Sequence, residues 1–218
     1  MFQGENKLEF FEITEDMVLK ELQNLKLGKA AGPDGVKSDY LKVLAEVVVI
    51  PLTKIYQKSL VLSCIPSDWK QANITPLYKK GSHADVTNYR PINLTSIPGK
   101  VMESLIRDSV VNHLEDNNVI LETQHGFRRG KSCVSNMLLY WDKITAFIDK
   151  GIPVDVAYLD LQKAFDTVPH CRLLSKIQAH GIEGLVLRWI KEWLNNRKQR
   201  VVLNGYESQW TDVTSSVI

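Results

Sequence analysis

Cysteine is scarce in this sequence: Cys64, Cys133 and Cys171 are the three present, odd in number, widely spaced and without a C-x-x-C pair. That pattern excludes a disulfide framework and a cysteine-rich zinc site. The five histidines, His83, His113, His125, His170 and His180, show no H-x-x-x-H spacing. Long apolar runs are missing as well. The run Val47–Ile50 ends at Pro51, and none comes near the length of a membrane span. At the N-terminus Glu5, Lys7 and Glu9 stand where a signal peptide needs an apolar stretch. Neither sign of charge dominates, since 27 Lys and Arg face 25 Asp and Glu for a formal net charge of +2. Any surface for a polyanion must therefore come from local clustering. The reading is a soluble, intracellular protein, cytoplasmic or nuclear, with no membrane partner.

What is present is ordinary globular composition. The chain has 218 residues, 44% hydrophobic and 24% charged, enough to bury a core in one large domain or two small ones. Thr14 predicts a helix cap, with Glu15 and Asp16 in the first turn, Val18, Leu22 and Leu25 at helical spacing, and Gly28 as the stop. Lys29–Lys37 is turn-rich, because Gly-Pro-Asp-Gly cannot continue a helix. Ser38 opens a second helix through Leu41, Leu44 and Val48, which Pro51 should break or kink; a further helix runs through Leu52, Ile55 and Leu60. Ala72–Tyr78 reads as a strand that Pro76 confines to an edge or a bulge, followed by a polar loop, Lys79–Arg90. Met102, Ile106, Val110 and Leu114 form one apolar helical stripe. After the loop Gln124–Lys131, Ser132 or Ser135 leads a helix up to Lys150. Val154–Leu161 reads as a buried strand, and two helices follow around Gly181 and Gly184. Arg200–Asn204 and Tyr206–Val213 alternate about Asn204-Gly205, a strong hairpin signal. The fold class is α+β.

The segment that carries chemistry is Tyr158–His170, YLDLQKAFDTVPH. Asp160 ends a hydrophobic strand, where a carboxylate is costly without a cation or hydrogen-bond donors. Two readings stand from the residues alone: Asp160 caps the following helix, or it holds a divalent metal for phosphoryl transfer. Phe165 is open between core packing and a binding role. Lys79 and Lys80 fit either a solvated turn or an anion grip, and Arg90 either pairs with Asp85 or stays free. Residues 76–100 hold Lys79, Lys80, Arg90 and Lys100 against Asp85, a locally positive stretch. Arg128, Arg129 and Lys131 sit beside Gly126 and Gly130 with no acid, which suits a polyanion or a charged surface loop. Arg197, Lys198 and Arg200 carry a weaker form of that argument.

LDLQKAFDTVPH closely resembles the first catalytic block of LINE-type (non-LTR) retrotransposon reverse transcriptases. AAGPDG (30–35), IPSDWKQANITPLYKKG (65–81), NYRPINL (88–94), QHGFRRGKSC (124–133) and the hairpin with SQW (208–210) resemble further blocks of that family, in its order. The likeness covers the chain from about Phe11 onward. It implies the fingers and an incomplete palm of a right-hand polymerase, with about 11–150 fingers-like and about 151–218 palm. It implies catalysis and metal binding at Asp160, with the Leu161 carbonyl as second metal contact and Mg²⁺ as the ion. Lys79 and Arg90 would grip the β- and γ-phosphates of a dNTP, Lys163 and Ala164 would lie beside the triphosphate, and Phe165 would stack beneath the sugar. Gly126, Arg128, Arg129 and Lys131 would lie along an RNA template and DNA primer.

The family's next block, a PQG loop followed by a hairpin bearing two adjacent aspartates, has no counterpart in these residues, which contain no Asp-Asp pair. Asp166 lies outside the family's metal cluster and is no substitute. The expectation is a reverse transcriptase fragment, truncated before the PQG loop, inactive alone and partnered by the missing C-terminal half of the polymerase. A non-catalytic RNA or RNA–DNA hybrid binding module, or the product of a decayed element, are the alternatives. The Asp160 strand, lacking its partner hairpin, should expose an apolar face.

Overall fold

The computed structural model describes residues 7–161 and 164–215. They form helices α1 (Glu15–Gln23), α2 (Ser38–Val43), α3 (Ala45–Leu62), α4 (Ile97–Asp116), α5 (Cys133–Ile148), α6 (His170–Ala179) and α7 (Gly184–Leu194). The strands are β1 (Gln71–Tyr78), β2 (Tyr89–Thr95), β3 (Lys198–Leu203), β4 (Tyr206–Glu207) and β5 (Thr211–Asp212). Two compact units result. One joins residues 1–113 to 165–218, and the other is Leu114–Ala164.

In the first unit a helical core supports a small mixed sheet of order β2-β1-β3-β4, with β5 also on β3. Thr14 caps α1, its Oγ1 accepting from the Met17 amide at 3.3 Å. Val18 and Leu22 of α1 then meet Tyr56 and Leu60 of α3, Val101, Met102 and Leu105 of α4, and Trp189 of α7. Each large apolar side chain taken from water here contributes about 1.5–3 kcal/mol. The polar tips of Tyr56 and Trp189 in the core are satisfied: the Tyr56 hydroxyl donates to the Pro98 carbonyl at 2.9 Å and Trp189 Nε1 donates to Ser59 Oγ at 3.0 Å. The α1 stop falls at Asn24, ahead of Gly28, which instead takes φ +70° in the turn beyond.

Pro51 does not break its helix. α3 runs through it, and the interruption lies at Leu44, between α2 and α3. The bond that Pro51 cannot donate would have gone to the carbonyl of Val47, an exposed residue whose oxygen can take water instead. Val49, Thr53, Tyr56 and Leu60 are buried on both sides of the proline, and that packing outweighs the lost bond.

β1 is flanked by β2 along Ala72–Tyr78 and by β3 only along Gln71–Ile74. Pro76 therefore lies where β1 has become an edge, as its missing N–H requires, and opposite Pro91. β2 lies partly within a stretch that reads as loop, because Pro91 and Asn93 interrupt its alternation. The Asn204-Gly205 hairpin forms as expected, with φ +51° and +81° at the two turn residues.

The motif Ala30–Gly35 is a structural clasp. The Gly35 amide donates to the Gly32 carbonyl at 3.1 Å across Pro33-Asp34, and Asp34 accepts from the Val36 amide at 3.2 Å. A Cβ on Gly32 would stand 2.5–2.6 Å from the backbone of Thr95 and Ser96, so only glycine allows this loop against the end of β2.

In the second unit Ser132 is the cap of α5, in a reciprocal capping box with Ser135. No residue of α5 is buried, and Met137, Leu138, Trp141, Phe147 and Ile148 are exposed. Val154–Leu161 forms no strand, which corrects the expected buried one. No described residue pairs with it, and a hydrophobic run becomes a buried strand only when neighbours cover it. Leu159 is 96% exposed and Leu161 77%, so apolar side chains of this segment stand open, though on no strand. Among the described residues, no helix is long and apolar enough to cross a membrane.

Candidate functional site

The first unit builds its site on the β1–β2 ribbon. Arg90 opposes Leu77 in the ladder, and Lys79 follows Leu77 by two residues, so strand alternation puts both cations on one ribbon face. The ladder extends past β1, because the Lys79 amide donates to the Asn88 carbonyl at 2.8 Å. Both side chains are exposed and have no acidic partner among the described residues. Asp85 does not pair with Arg90. Its carboxylate accepts from Thr87 Oγ1 at 2.7 Å and the Thr87 amide at 2.8 Å, and those bonds hold its pKa below the ordinary carboxylate value. Such a pair of uncommitted cations on a rigid ribbon suits an extended anion with several oxygens.

The other face of the ribbon tip is aromatic. Tyr78 and Tyr89 are ladder partners with ring centroids 5.6 Å apart, and the His83 ring stacks on Tyr78 at 3.9 Å. Composition gives no hint of this cluster. Its only trace in the sequence is a tyrosine at each end of the loop.

In the second unit, the loop before α5 divides its cations between two tasks. Arg128 Nη1 donates to the Leu121 carbonyl at 3.1 Å, and its Nε lies 3.9 Å from Glu115, so this guanidinium ties the loop to the end of α4. Arg129 and Lys131 are exposed, and Gly126 has open space around it. Asp160 is exposed on the unpaired segment with no hydrogen-bond or ion-pair partner among the described residues. Leu161 is 77% exposed, and Ala164 lies in an exposed turn. Phe165 belongs to the first unit and is 58% exposed, which removes the core reading for it. Lys163 lies outside the described residues.

The divalent ion implied by the motif asks for more than this. Among the described residues no three His, Cys, Asp or Glu side chains gather as a ligand group. Two-metal phosphoryl transfer needs several hard oxygen ligands around its ions. Asp160 does not supply that centre by itself.

The cations before the hairpin turn inward. Arg197 is 2% exposed, its guanidinium 4.6 Å over the Trp193 ring, with Nε and Nη2 unbonded. Burial lowers its pKa, against the pull of Glu103 on α4; burial raises the Glu103 pKa, with Arg197 opposing. Arg200 donates to Asn73 at 2.8 Å, pairs with Glu207 and lies over Trp210. Arg197 packs on Trp193 of α7 and Arg200 ties β3 to β1 and β4, which corrects their reading as a nucleic-acid surface. Lys198 alone of the three is exposed.

Comparison with known proteins supplies the remaining constraint. A family model described as reverse transcriptase (RNA-dependent DNA polymerase) matches residues 77–215. The chain is 30% identical over 202 residues to the Drosophila melanogaster protein named "Probable RNA-directed DNA polymerase from transposon BS", covering 89% of this chain and 22% of that one. It is 30% identical over 207 residues to the RNA-directed DNA polymerase from mobile element jockey of the same fly, covering 94% and 22%. A Pol polyprotein from type-1 retrotransposable element R2 of Popillia japonica is 27% identical over 151 residues, covering 69% and 21%. The chain thus spans about a fifth of the length of the curated relatives it matches.

Proposed function

Because this chain belongs to the reverse transcriptase family, among the enzymes of non-LTR retrotransposons, we propose that it forms the nucleotide- and template-holding part of an RNA-directed DNA polymerase. Lys79 and Arg90 grip the β- and γ-phosphates of an incoming dNTP. Arg129 and Lys131, with the backbone at Gly126, run along the RNA template and DNA primer, while Arg128 sets the shape of their loop. Lys163, Ala164 and Phe165 contact the triphosphate and sugar. Asp160 and the Leu161 carbonyl contribute one side of a magnesium centre whose other carboxylates lie in further polymerase residues.

The observation that carries this reading is the pair of exposed cations, with no acidic partner among the described residues, on one face of the β1–β2 ribbon. The exposed apolar residues of α5 and segment 152–161 support the rest, since they offer packing surface to the remaining palm. Residues about 11–150 then act as fingers and about 151–218 as part of the palm. With one candidate catalytic carboxylate, the 218 residues by themselves extend no primer.

Equilibrium binding of a dNTP tests the central claim. Lys79→Ala and Arg90→Ala should each weaken dNTP binding about tenfold or more, and leave binding of the corresponding nucleoside unchanged. Equal binding of dNTP by both variants and the parent would refute the assignment.

A further inference from the structure

The aromatic face of the ribbon tip lies opposite the phosphate-gripping face, and its construction is unusually complete for an exposed turn. The Tyr78 hydroxyl donates to the Gly81 carbonyl at 2.6 Å, and the Tyr89 hydroxyl donates to the His83 carbonyl at 2.9 Å. Asn88 Nδ2 donates to the Ser82 carbonyl at 3.0 Å. Gly81 takes φ +92°, and a Cβ there would stand 2.5 Å from the Asn88 side chain. These contacts fold the loop back over Tyr78 and fix the His83 ring on it at 3.9 Å, 21° from parallel. His83 is exposed, and Tyr78 remains 38% exposed.

We infer that the Tyr78–His83 stack, with Tyr89 edge-on to Tyr78, is a platform on which a base of an unpaired nucleic-acid strand stacks. A pre-stacked, exposed pair of rings offers a π-face at little conformational cost, which suits a splayed base and not a duplex with its bases already stacked. The charge around it favours a polyanion. Lys79, Lys80 and Arg90 surround the tip, while the one acid, Asp85, is committed to Thr87. In a polymerase the occupant is the template strand ahead of the copied position, and to that extent the inference rests on the reading above.

The test is fluorescence anisotropy of the 218-residue chain with a short labelled oligoadenylate, its deoxy counterpart and an abasic strand of equal length. His83→Ala should weaken binding of both base-bearing strands by roughly five- to a hundredfold and leave the abasic strand unchanged. His83→Phe, which keeps a ring, should retain most of the affinity. The His83 carbonyl that holds Tyr89 survives both substitutions, so the loop keeps its frame. Salt-sensitive binding that ignores His83→Ala, or that falls equally on the abasic strand, would overturn the platform and leave the polymerase reading standing. No binding to any strand would overturn both.

Discussion

Gly32→Ala would strike the fold at the point where the loop Ala30–Gly35 rests on the end of β2. The added methyl would lie 2.5 Å from the Thr95 carbonyl carbon and 2.6 Å from the Ser96 nitrogen. Ordinary contact begins near 3.4 Å, so one backbone must retreat by most of an ångström. Neither can do so cheaply, because Thr95 and Ser96 are 3% and 0% exposed and lead straight into α4. Overpacking of this kind costs about 1–3 kcal/mol, and the upper end applies because backbone atoms are hit. For a chain of this size that corresponds to a fall in Tm of roughly 6–12 °C. Gly126→Ala is the matched control. Nothing lies within 4 Å of its Cβ position, so the variant should melt within a degree or two of the parent. Parallel thermal melts followed by circular dichroism would read both. Equal melting of Gly32→Ala and Gly126→Ala would refute the clasp.

The two arginines of the loop before α5 should separate by function. Arg128→Ala, which loses the bond to Leu121 and the contact with Glu115, should cost about 1 kcal/mol in urea unfolding. Arg129→Ala should leave stability alone and reduce the salt slope of template binding by about 0.7–0.9; a reversed pattern would contradict the assignment. Glu103 gives a pH dependence with a definite sign. Burial raises its native pKa above 4.5, so the folded state binds the proton more tightly than the unfolded chain. Stability from this group is full below pH 4.5 and lost as pH rises through the raised native value. Glu103→Gln should flatten that decline, and an unchanged pH profile in urea titrations would count against it. Thr14→Ala removes the α1 cap and should cost about 1 kcal/mol; a loss near zero by the same assay would show the cap to be idle.

Much of the fold can be read residue by residue. Thr14 as a cap, the Met102–Ile106–Val110 stripe and the Asn204-Gly205 turn are local consequences of side-chain chemistry, and each forms where its residues predict. The family blocks are equally local, because an ordered set of short motifs survives in the chain whatever its packing. The misplaced elements share one cause. The hydrophobic run Val154–Leu161 names a strand without naming its neighbours, and no described strand pairs with it. Pro51 forecasts a break that buried residues on either side override. β2 is hidden by Pro91, which is tolerated because it faces Pro76 at the sheet margin.

The amino-acid order by itself determined the α+β class, the reverse transcriptase resemblance and which residue types could grip phosphate. Tertiary structure alone decided which cations are free to do so. Arg197, Arg200 and Arg128 are spent on Trp193, on Asn73 and Glu207, and on Leu121 and Glu115, whereas Lys79 and Arg90 share an open ribbon face. A guanidinium's availability depends on burial and on acceptors distant along the chain, and a linear pattern of charges carries neither.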